Sequence, residues 1–311
     1  MAKLCLCCGK PLHNENTLWH AACIKKMFGT TTLPTLELNE NHIIDENISE
    51  GKTVPGVQKK FSYVFNRVSK RKTIRFLNNK YIIKTESEKL KDLVLFEWVG
   101  MKLAVICGIE TVECGIIHEN HHNYFITKRI DRLNGRKIPM EDFCQLSNVQ
   151  TEYKYNGSYE MCYKNVIQKY SDFKTLDKIK FYRLIFFSYI IGNTDMHLKN
   201  FSLYEIDGKY QLTPAYDLLP VVLVFPQEEM ALTMHGKNQK LTKNDFYAFG
   251  EYLGISKELI TKIQHDVIDK KEKMFEFINQ SPLNQEEKLS FINLIKKRIA
   301  VFSTTKSNSH N

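Results

Sequence analysis

Three polar residues, Asp195, Asn200 and Asp217, have the types and the spacing that phosphoryl transfer needs. Asp195 and Asn200 reproduce the D-x-x-x-x-N spacing of a kinase catalytic loop, and a second acid follows further along the chain. In that chemistry one carboxylate accepts the proton of the attacking hydroxyl, while an amide and another carboxylate hold Mg²⁺. A lone D-x-x-x-x-N also occurs by chance in polar surface loops. The flanking sequence therefore decides between the two interpretations.

The elements predicted around the loop favour catalysis. Residues 177–191 predict a mostly apolar helix that Asp177 caps, and it ends where the loop begins. Residues 201–213 predict a β-hairpin whose turn is Asp207-Gly208. Because a hairpin brings its two ends together, Asp217 should return close to Asn200. Two oxygen ligands would then converge on one Mg²⁺.

The bulk composition is that of a soluble globular protein. The chain has 311 residues, 43% hydrophobic and 25% charged, which is enough for two lobes. No stretch approaches the ~20 apolar residues of a membrane span, and the first residues lack a signal-peptide core. We therefore expect a cytoplasmic protein whose eight cysteines are thiols or metal ligands. The net charge of +9 is compatible with ATP, nucleic acid or an acidic partner.

Two close pairs of soft ligands lie near the start of the chain. Cys5 and Cys8 form the first pair, and His20 and Cys23 form the second. Such pairs can supply the four corners of a tetrahedral structural zinc site. A small unit with free thiols is the alternative, and Cys7 is a possible competing ligand.

Residues 53–107 contain the parts from which a kinase phosphate site is built. A turn with a single Gly opens into a predicted strand at 61–64, which alone is a weak phosphate-loop signal. Residues 81–84 predict a short strand ending in Lys84, which could reach nucleotide phosphates or face solvent. Residues 90–107 predict an amphipathic helix. Its Glu97 would either pair with Lys84 or face water.

A further predicted strand, residues 124–127, leads into the basic segment 128–132. Backbone groups in such a connection between lobes can bind the edge of adenine. The basic residues 70–75 are interpreted as a strand edge or turn, with nucleic-acid contact as the minority alternative. His197, inside the catalytic loop, is expected to support the loop structurally, and His235-Gly236 is expected to form a turn.

With these residues placed, the chain resembles the HipA family of protein Ser/Thr kinases, the toxin halves of bacterial toxin–antitoxin modules. The resemblance covers about residues 50 to 300 and rests on ordered blocks. The blocks are Thr53–Lys60, Tyr81–Lys84, Lys128–Arg132, Met140–Leu146, Ile191–Ser202 and Leu212–Leu218.

The resemblance implies a role for each matching position. Asp195 would be the base, Asn200 and Asp217 the Mg²⁺ ligands, and Lys84 the phosphate-binding cation. The residues implied to bind ATP are Lys84, Val54, Gly56, Val57, Lys128, Ile130, Asp131, His197, Asn200 and Asp217, with Asp131 at the ribose. Autophosphorylation is implied at Thr53, where the family usually has Ser, with Ser49 as a nearby fallback. The added charge would expel the phosphate loop and shut activity off.

The short segment before the phosphate loop resembles HipT, the kinase of three-gene HipBST systems, in which the missing subdomain is a separate protein. By this resemblance the partners are a HipS-like inhibitor and a HipB-like DNA-binding protein. The substrate would be a protein serine, with an aminoacyl-tRNA synthetase as one example. Direct sequence-specific DNA binding and membrane association are not expected.

The predicted fold is therefore α+β and two-lobed, like a protein kinase. We predict a Cys/His zinc-knuckle-like unit at 1–30, a β-rich N-lobe at 31–127, a helical C-lobe at 128–303 and a frayed tail at 304–311. ATP-dependent protein phosphorylation is the leading function. A small-molecule kinase on the same scaffold, or a zinc-bearing binding module with a dead kinase domain, are the alternatives.

Overall fold

The chain folds into two lobes of the α+β class. A small β-rich lobe precedes a mostly helical one, and a short unit with cysteines and a histidine precedes both. The computed structural model describes residues 3–14, 16–36, 60–66, 73–75, 80–86, 92–133, 136–225 and 229–303. The first lobe combines one β-sheet with one long helix, as the small lobe of a protein kinase does.

Six strands form the sheet of the first lobe, in the order β1-β3-β2-β4-β6-β5. The strands are β1 (Thr35–Leu36), β2 (Lys60–Asn66), β3 (Thr73–Arg75), β4 (Tyr81–Thr85), β5 (Cys114–Glu119) and β6 (His122–Lys128). All neighbours pair antiparallel except β1 and β3. The strands predicted at 61–64, 81–84 and 124–127 are confirmed as parts of β2, β4 and β6.

The remaining elements are mostly helical. The helices are α1 (Ala21–Phe28) in the N-terminal unit, α2 (Leu93–Ile106) in the first lobe, and α3 (Phe143–Leu146), α4 (Tyr159–Cys162), α5 (Gln168–Tyr170), α6 (Lys174–Ile191), α7 (Val221–Val224), α8 (Lys243–Tyr252), α9 (Lys257–Ile268), α10 (Lys271–Gln280) and α11 (Gln285–Ser303). The later strands are β7 (Arg132–Leu133), β8 (Arg136–Lys137), β9 (Met140–Asp142), β10 (Ser202–Ile206) and β11 (Lys209–Leu212).

Helix α2 is buried on nearly every side, so the prediction of an amphipathic helix was wrong. Every residue from 93 to 104 is buried. The reason is its position between two layers, because it packs on β5 and β6 and also against α10 of the second lobe. Gly100 allows the closest approach. A β-carbon at Gly100 would collide with the carbonyl oxygen of Leu218.

The N-terminal unit continues the sheet of the first lobe. The amide of Ile116, on the outer strand β5, donates to the carbonyl of Leu6 at 2.9 Å. The indole Nε1 of Trp19 donates to the carbonyl of the same Ile116 at 2.8 Å. Both backbone polar groups of this edge residue are therefore satisfied by the start of the chain, and Trp19 lies over Gly115.

Helix α6 leads to the predicted catalytic loop and is confirmed, but its start differs from the prediction. It begins at Lys174, so Asp177 lies in its first turn and does not cap it. The fully buried Asp177 carboxylate instead accepts hydrogen bonds from Ser171 Oγ at 2.7 Å and from the Leu212 amide at 2.8 Å. Burial raises its pKa, although these two donors oppose the shift. Asp177 thus ties α6 to the end of β11.

The predicted hairpin is confirmed as β10 and β11, with β9 as a third strand. Asp207 and Gly208 both have positive φ, 51° and 74°, as a two-residue turn between strands requires. The predicted turn at His235-Gly236 is also confirmed, since both residues have positive φ between the bridged Met234 and Lys237.

Several expectations concern residues outside the described ones: the basic residues 70–72, most of the segment 31–50 and the tail 304–311. Among the described helices, none has the length and apolarity needed to cross a membrane.

The approach of α2 to Leu218 predicts that Gly100→Ala destabilises the protein. Steric overlap with a backbone carbonyl should lower the free energy of unfolding by about 1–3 kcal/mol, despite the helix preference of alanine. Chemical denaturation measures the change. Val105→Ala is the matched control because Val105 lies on the same helix and is 54% exposed. Equal stability of the two variants would contradict the close contact.

Candidate active site

Lys84 lies between two carboxylates from different elements. Its Nζ, on β4, donates to Glu97 Oε1 on α2 at 2.6 Å and also to Asp217 Oδ1. Lys84 is 5% exposed and Glu97 is 1% exposed. Burial alone would lower the pKa of Lys84, but the two carboxylates outweigh it and the pKa is raised. The lysine is therefore a fixed cation, and of the two predicted alternatives for Glu97 the structure shows pairing.

The predicted catalytic loop starts where α6 ends. Gly192 takes the left-handed conformation, with φ of 72°, and its amide donates back into the last turn of the helix. The Asn200 side-chain Nδ2 then donates to the carbonyl of Asp195 at 2.6 Å. This bond uses the amide nitrogen, so the amide oxygen of Asn200 stays available to a cation. Asp195 and Asn200 are thus held together by the loop itself.

Asn193 is the part of this site that sequence reasoning missed. Its Oδ1 accepts from the Asp195 amide at 3.3 Å, and its Nδ2 donates to the carbonyl of Asp217 at 3.0 Å. Asn193 is fully buried. A single side chain therefore ties the loop to the segment that carries the second acid. An asparagine two positions before the D-x-x-x-x-N hexad was the signal that could have identified it.

The hairpin returns Asp217 to the loop as predicted. The Tyr216 hydroxyl bonds Ser202 Oγ at 2.7 Å and donates to the Lys199 carbonyl at 3.2 Å, which anchors the end of the hairpin on the loop. Asp217 itself has a φ of 56°, a left-handed conformation that Asp tolerates better than most residues. The structure thus brings Lys84 and Asp217 into contact, and links Asp217 to Asp195 through Asn193.

His197 lies in the loop as a buried residue. Its ring packs edge-on against Tyr155, with 4.9 Å between ring centroids. Burial lowers the pKa of His197 to about 4, because the charged imidazolium loses its hydration. Among the described residues its Nδ1 has no hydrogen-bond partner, so a ring-to-backbone bond at that atom is not seen. The ring is neutral at physiological pH.

The predicted adenine-binding segment is partly engaged within the protein. The Lys128 amide donates to the Glu113 carbonyl at 2.9 Å, and the Lys128 Nζ lies 3.7 Å from the Glu113 carboxylate. The backbone amide of Lys128 is therefore already used, which leaves its carbonyl as the group that could meet a base. The Ile130 side chain packs against the main core. Adenine binding by the backbone of Lys128 and Ile130 stays a prediction.

Asp131 is held by two arginines. Its carboxylate accepts two bonds of 2.9 Å from Arg129 and one of 2.5 Å from Arg132, and the residue is buried. Burial opposes ionisation, but the two guanidinium groups keep the pKa of Asp131 below its usual range. Ribose binding by Asp131 stays a prediction, and it requires a lone pair beyond those the arginines occupy.

The remaining predicted nucleotide residues, Val54, Gly56 and Val57, lie outside the described residues. The same is true of the two predicted phosphorylation positions, Thr53 and Ser49. Their roles stay predictions.

Cys5, Cys8, His20 and Cys23 form one cluster whose ligand atoms all lie within 4.8 Å of one another. The Nδ1 of His20 is 3.3 Å from Cys8 Sγ and 3.8 Å from Cys23 Sγ. A tetrahedral zinc ion needs ligand–ligand distances of about 3.5–3.8 Å. The other ring nitrogen of His20 bonds the Pro11 carbonyl at 3.0 Å, which directs Nδ1 to the cysteines. The four groups fit zinc, and Cys7 lies outside the set.

A buried Lys–Glu pair, a D-x-x-x-x-N loop after a buried helix and a second acid on a returning segment, all within two lobes, define a protein of the protein-kinase-like class. Residues 53–275, more than two thirds of the chain, match the family model described as the HipA-like C-terminal domain. The chain belongs to this HipA-like family, which confirms the resemblance found in the sequence.

Two relatives and one solved structure show in more detail what the chain is similar to. It is 27% identical over 255 residues to a Haemophilus influenzae protein named only provisionally as a kinase, covering 72% of this chain and 74% of that protein. It is 26% identical over 235 residues to the serine/threonine-protein kinase toxin HipA of Shewanella oneidensis, covering 67% of this chain and 53% of the toxin. The chain therefore spans about half the length of that toxin.

A chain in the solved complex of Shewanella oneidensis HipA, HipB and operator DNA superposes with a TM-score of 0.66 at 22% identity. The match covers 80% of this chain and 63% of that one. At this identity the likeness concerns the fold, and it confirms the predicted two-lobed fold class.

The neutral, buried His197 predicts a specific loss of stability in acid. The unfolded chain binds a proton near the usual His pKa of ~6.5, whereas the folded state binds it only near pH 4. Stability from this group is therefore present above pH ~6.5 and lost as the pH falls toward 4, by up to about 3 kcal/mol. Urea denaturation between these pH values should show a steeper loss for the native protein than for His197→Gln. His265→Gln, at an exposed position on α9, serves as control. Identical slopes for the native protein and His197→Gln would refute the assignment.

Proposed function

We propose that this protein is an ATP- and Mg²⁺-dependent protein Ser/Thr kinase. The observation that carries the proposal is the Lys84 ammonium, held by Glu97 and in contact with Asp217, beside a loop that presents Asp195 and Asn200. If the loop were only a polar surface loop, nothing would explain why a lysine next to it is buried between two acids from separate lobes. The names of the relatives support the same chemistry.

In this proposal each side chain has one task. The oxygen of the substrate hydroxyl forms a bond to the γ-phosphorus, and Asp195 accepts the proton of that hydroxyl. At the same time the bond between the γ-phosphorus and the bridging oxygen breaks, and ADP leaves with that oxygen. Lys84 binds the phosphates, with Glu97 fixing its position. The Asn200 amide oxygen and the Asp217 carboxylate would hold Mg²⁺, which neutralises charge on the transferring phosphates. His197, as a neutral ring, supports the loop and takes no proton near pH 7.

The biological setting is also proposed from the relatives. The HipA relative is named a toxin, and its solved complex contains HipB and operator DNA. We infer a toxin–antitoxin role for this chain in the cytoplasm, with a HipB-like partner contacting DNA on its behalf and a HipS-like protein inhibiting it, as in HipBST modules. An aminoacyl-tRNA synthetase is one candidate protein substrate. Autophosphorylation at Thr53 would be the off-switch, since added negative charge opposes phosphate binding.

The N-terminal cluster is proposed as a structural zinc site. Its four protein ligands would fill the tetrahedral shell and leave no position for a substrate. A hydrogen bond from the Cys8 thiol lowers the pKa of Cys5 to about 4, which favours the thiolate that a metal requires. We further propose domain boundaries at 1–30, 31–127 and 128–303, so that the zinc unit precedes the N-lobe.

The kinase proposal predicts that Asp217→Asn abolishes phosphoryl transfer. Loss of one carboxylate at the proposed magnesium site should lower the rate at least about a hundredfold. Labelled ATP incubated with a cell extract and each purified variant measures transfer, and label in discrete protein bands supports a protein kinase. Asp207→Asn is the matched control, because it makes the same change in the hairpin turn. Wild-type rates in Asp217→Asn would end the proposal, while label confined to small molecules would favour a small-molecule kinase.

The metal proposal predicts one zinc ion per chain in the purified native protein. Cys8→Ser or His20→Ala should lose it, because three ligands bind zinc much more weakly than four. Elemental analysis by mass spectrometry measures the zinc. Cys7→Ser tests specificity, since Cys7 is a neighbouring thiol outside the cluster, and it should keep the metal. A native protein without zinc, or equal metal content in Cys7→Ser and Cys8→Ser, would argue against the site.

A further inference from the structure

Tyr155 contacts the carboxylate that the proposed reaction uses as its base. Its phenol hydroxyl donates to Asp195 Oδ1 at 2.5 Å. Both burial of the ring and the Asp195 charge raise the pKa of Tyr155, so the phenol keeps its proton and remains the donor. Neither the spacing of the catalytic loop nor the family resemblance pointed to this residue. It lies 40 positions before Asp195.

The geometry is that of an acceptor hydroxyl. In phosphoryl transfer the substrate hydroxyl must donate a hydrogen bond to the base before its proton is taken. Tyr155 already makes this bond. We propose that Tyr155 occupies the acceptor-hydroxyl subsite and closes it in the free protein, so that the hydroxyl of a Ser or Thr side chain binds only by displacing the phenol. The inference rests on the proposed kinase function and adds a regulatory device to its site.

The segment that carries Tyr155 is fixed on the catalytic loop at both ends. The Leu198 amide donates to the Lys154 carbonyl at 3.1 Å. The Tyr159 hydroxyl donates to the Met196 carbonyl at 3.3 Å. These bonds hold the backbone on either side of Tyr155 against the residues that follow Asp195. The tyrosine therefore faces the base because of the fold and not because of a chance surface contact.

Apart from its hydrogen bond to Asp195, the Tyr155 side chain makes only weak contacts. Tyr155 is 38% exposed, and its ring touches the edge of His197 and lies 5.3 Å from the Lys154 ammonium. Contacts of this kind are individually weak. A rotation about the Tyr155 side-chain bonds can break the bond to Asp195 while the backbone stays in place. The subsite can thus open without unfolding the segment.

Closure has a chemical consequence in the absence of substrate. A water molecule next to Asp195 could otherwise attack the γ-phosphate, with its proton passing to Asp195 and phosphate and ADP as products. The Tyr155 hydroxyl fills the position from which water would donate to the base. The closed subsite therefore suppresses wasteful ATP hydrolysis until an acceptor arrives. The phenol also competes with every acceptor for the same carboxylate oxygen.

The test compares ATP hydrolysis by the full chain and by Tyr155→Phe in the absence of any protein acceptor. Losing a hydrogen bond to a charged acceptor should raise the Asp195-dependent rate roughly tenfold to a hundredfold. Tyr153→Phe is the matched control, because this neighbouring tyrosine is 50% exposed and should leave the rate unchanged. A Tyr155→Phe rate equal to or below that of the native protein overturns the proposal, since a residue that merely positions Asp195 would lower the rate when removed.

A second measurement does not depend on turnover. In protein with isotope-labelled tyrosine rings, the Tyr155 resonance, identified by its loss in Tyr155→Phe, should shift on Asp195→Asn and stay in place on Asp207→Asn. No shift means that the hydroxyl does not contact the base, and the proposal fails. If the shift is present but neither the native protein nor Tyr155→Phe hydrolyses ATP in an Asp195-dependent manner, the kinase function fails and the acceptor subsite fails with it. An active kinase with an unchanged Tyr155→Phe rate rejects only the subsite.

Discussion

One buried cation, the Lys84 ammonium, fixes the positions of the two lobes relative to each other. An ammonium taken out of water is stable only when opposite charge compensates the lost hydration, and Lys84 obtains that charge from Glu97 in its own lobe and from Asp217 in the other. Removing either acid would leave an undercompensated charge in the interior. The strand, the long helix and the segment after the hairpin therefore cannot shift independently. This constraint fixes where Asp217 lies relative to β4 and α2.

Close packing of helix α2 fixes the two lobes at the same place. Gly100 lies one turn beyond Glu97 and sits against the Leu218 carbonyl, next to Asp217. The charge contact and the close backbone approach thus act at neighbouring points of one interface. Asn193 connects the catalytic loop to the same region, because its buried side-chain amide hydrogen-bonds the backbones of both Asp195 and Asp217. The side chains of Lys84, Asn193 and Asn200 are buried and hydrogen-bonded, as a preorganised site demands.

Local signals in the sequence were enough for much of this architecture. Asp207-Gly208 predicted the hairpin because two consecutive positive φ angles favour those residues, and the apolar run before Gly192 predicted α6. The residue types at 84, 195, 200 and 217 predicted a shared site because the chemistry limits what can act there. The family match then confirmed the resemblance. The cysteine spacing likewise predicted the N-terminal cluster.

What the sequence could not supply were contacts between distant segments. Asp177 looked like a helix cap, yet the buried carboxylate bonds Leu212, 35 positions away. Helix α2 was predicted to be amphipathic because it contains the polar residues Glu97 and Lys102. Both have hydrogen-bond partners in the interior that no local pattern shows. Tyr155 carried no motif at all. In each case the partner is set by tertiary packing and not by periodicity.

The N-terminal unit covers one open edge of the six-stranded sheet. Strand β5 ends the six-stranded sheet, and an open strand edge is a template on which a second chain can add. Leu6 and Trp19 take both backbone groups of Ile116, so the first residues of the chain cover that edge. Without Leu6 and Trp19, the backbone amide and carbonyl of Ile116 would be open at this edge. The cysteine-rich start is thus a protective cover for the sheet, and the ion that its four ligands fit would keep that cover in shape.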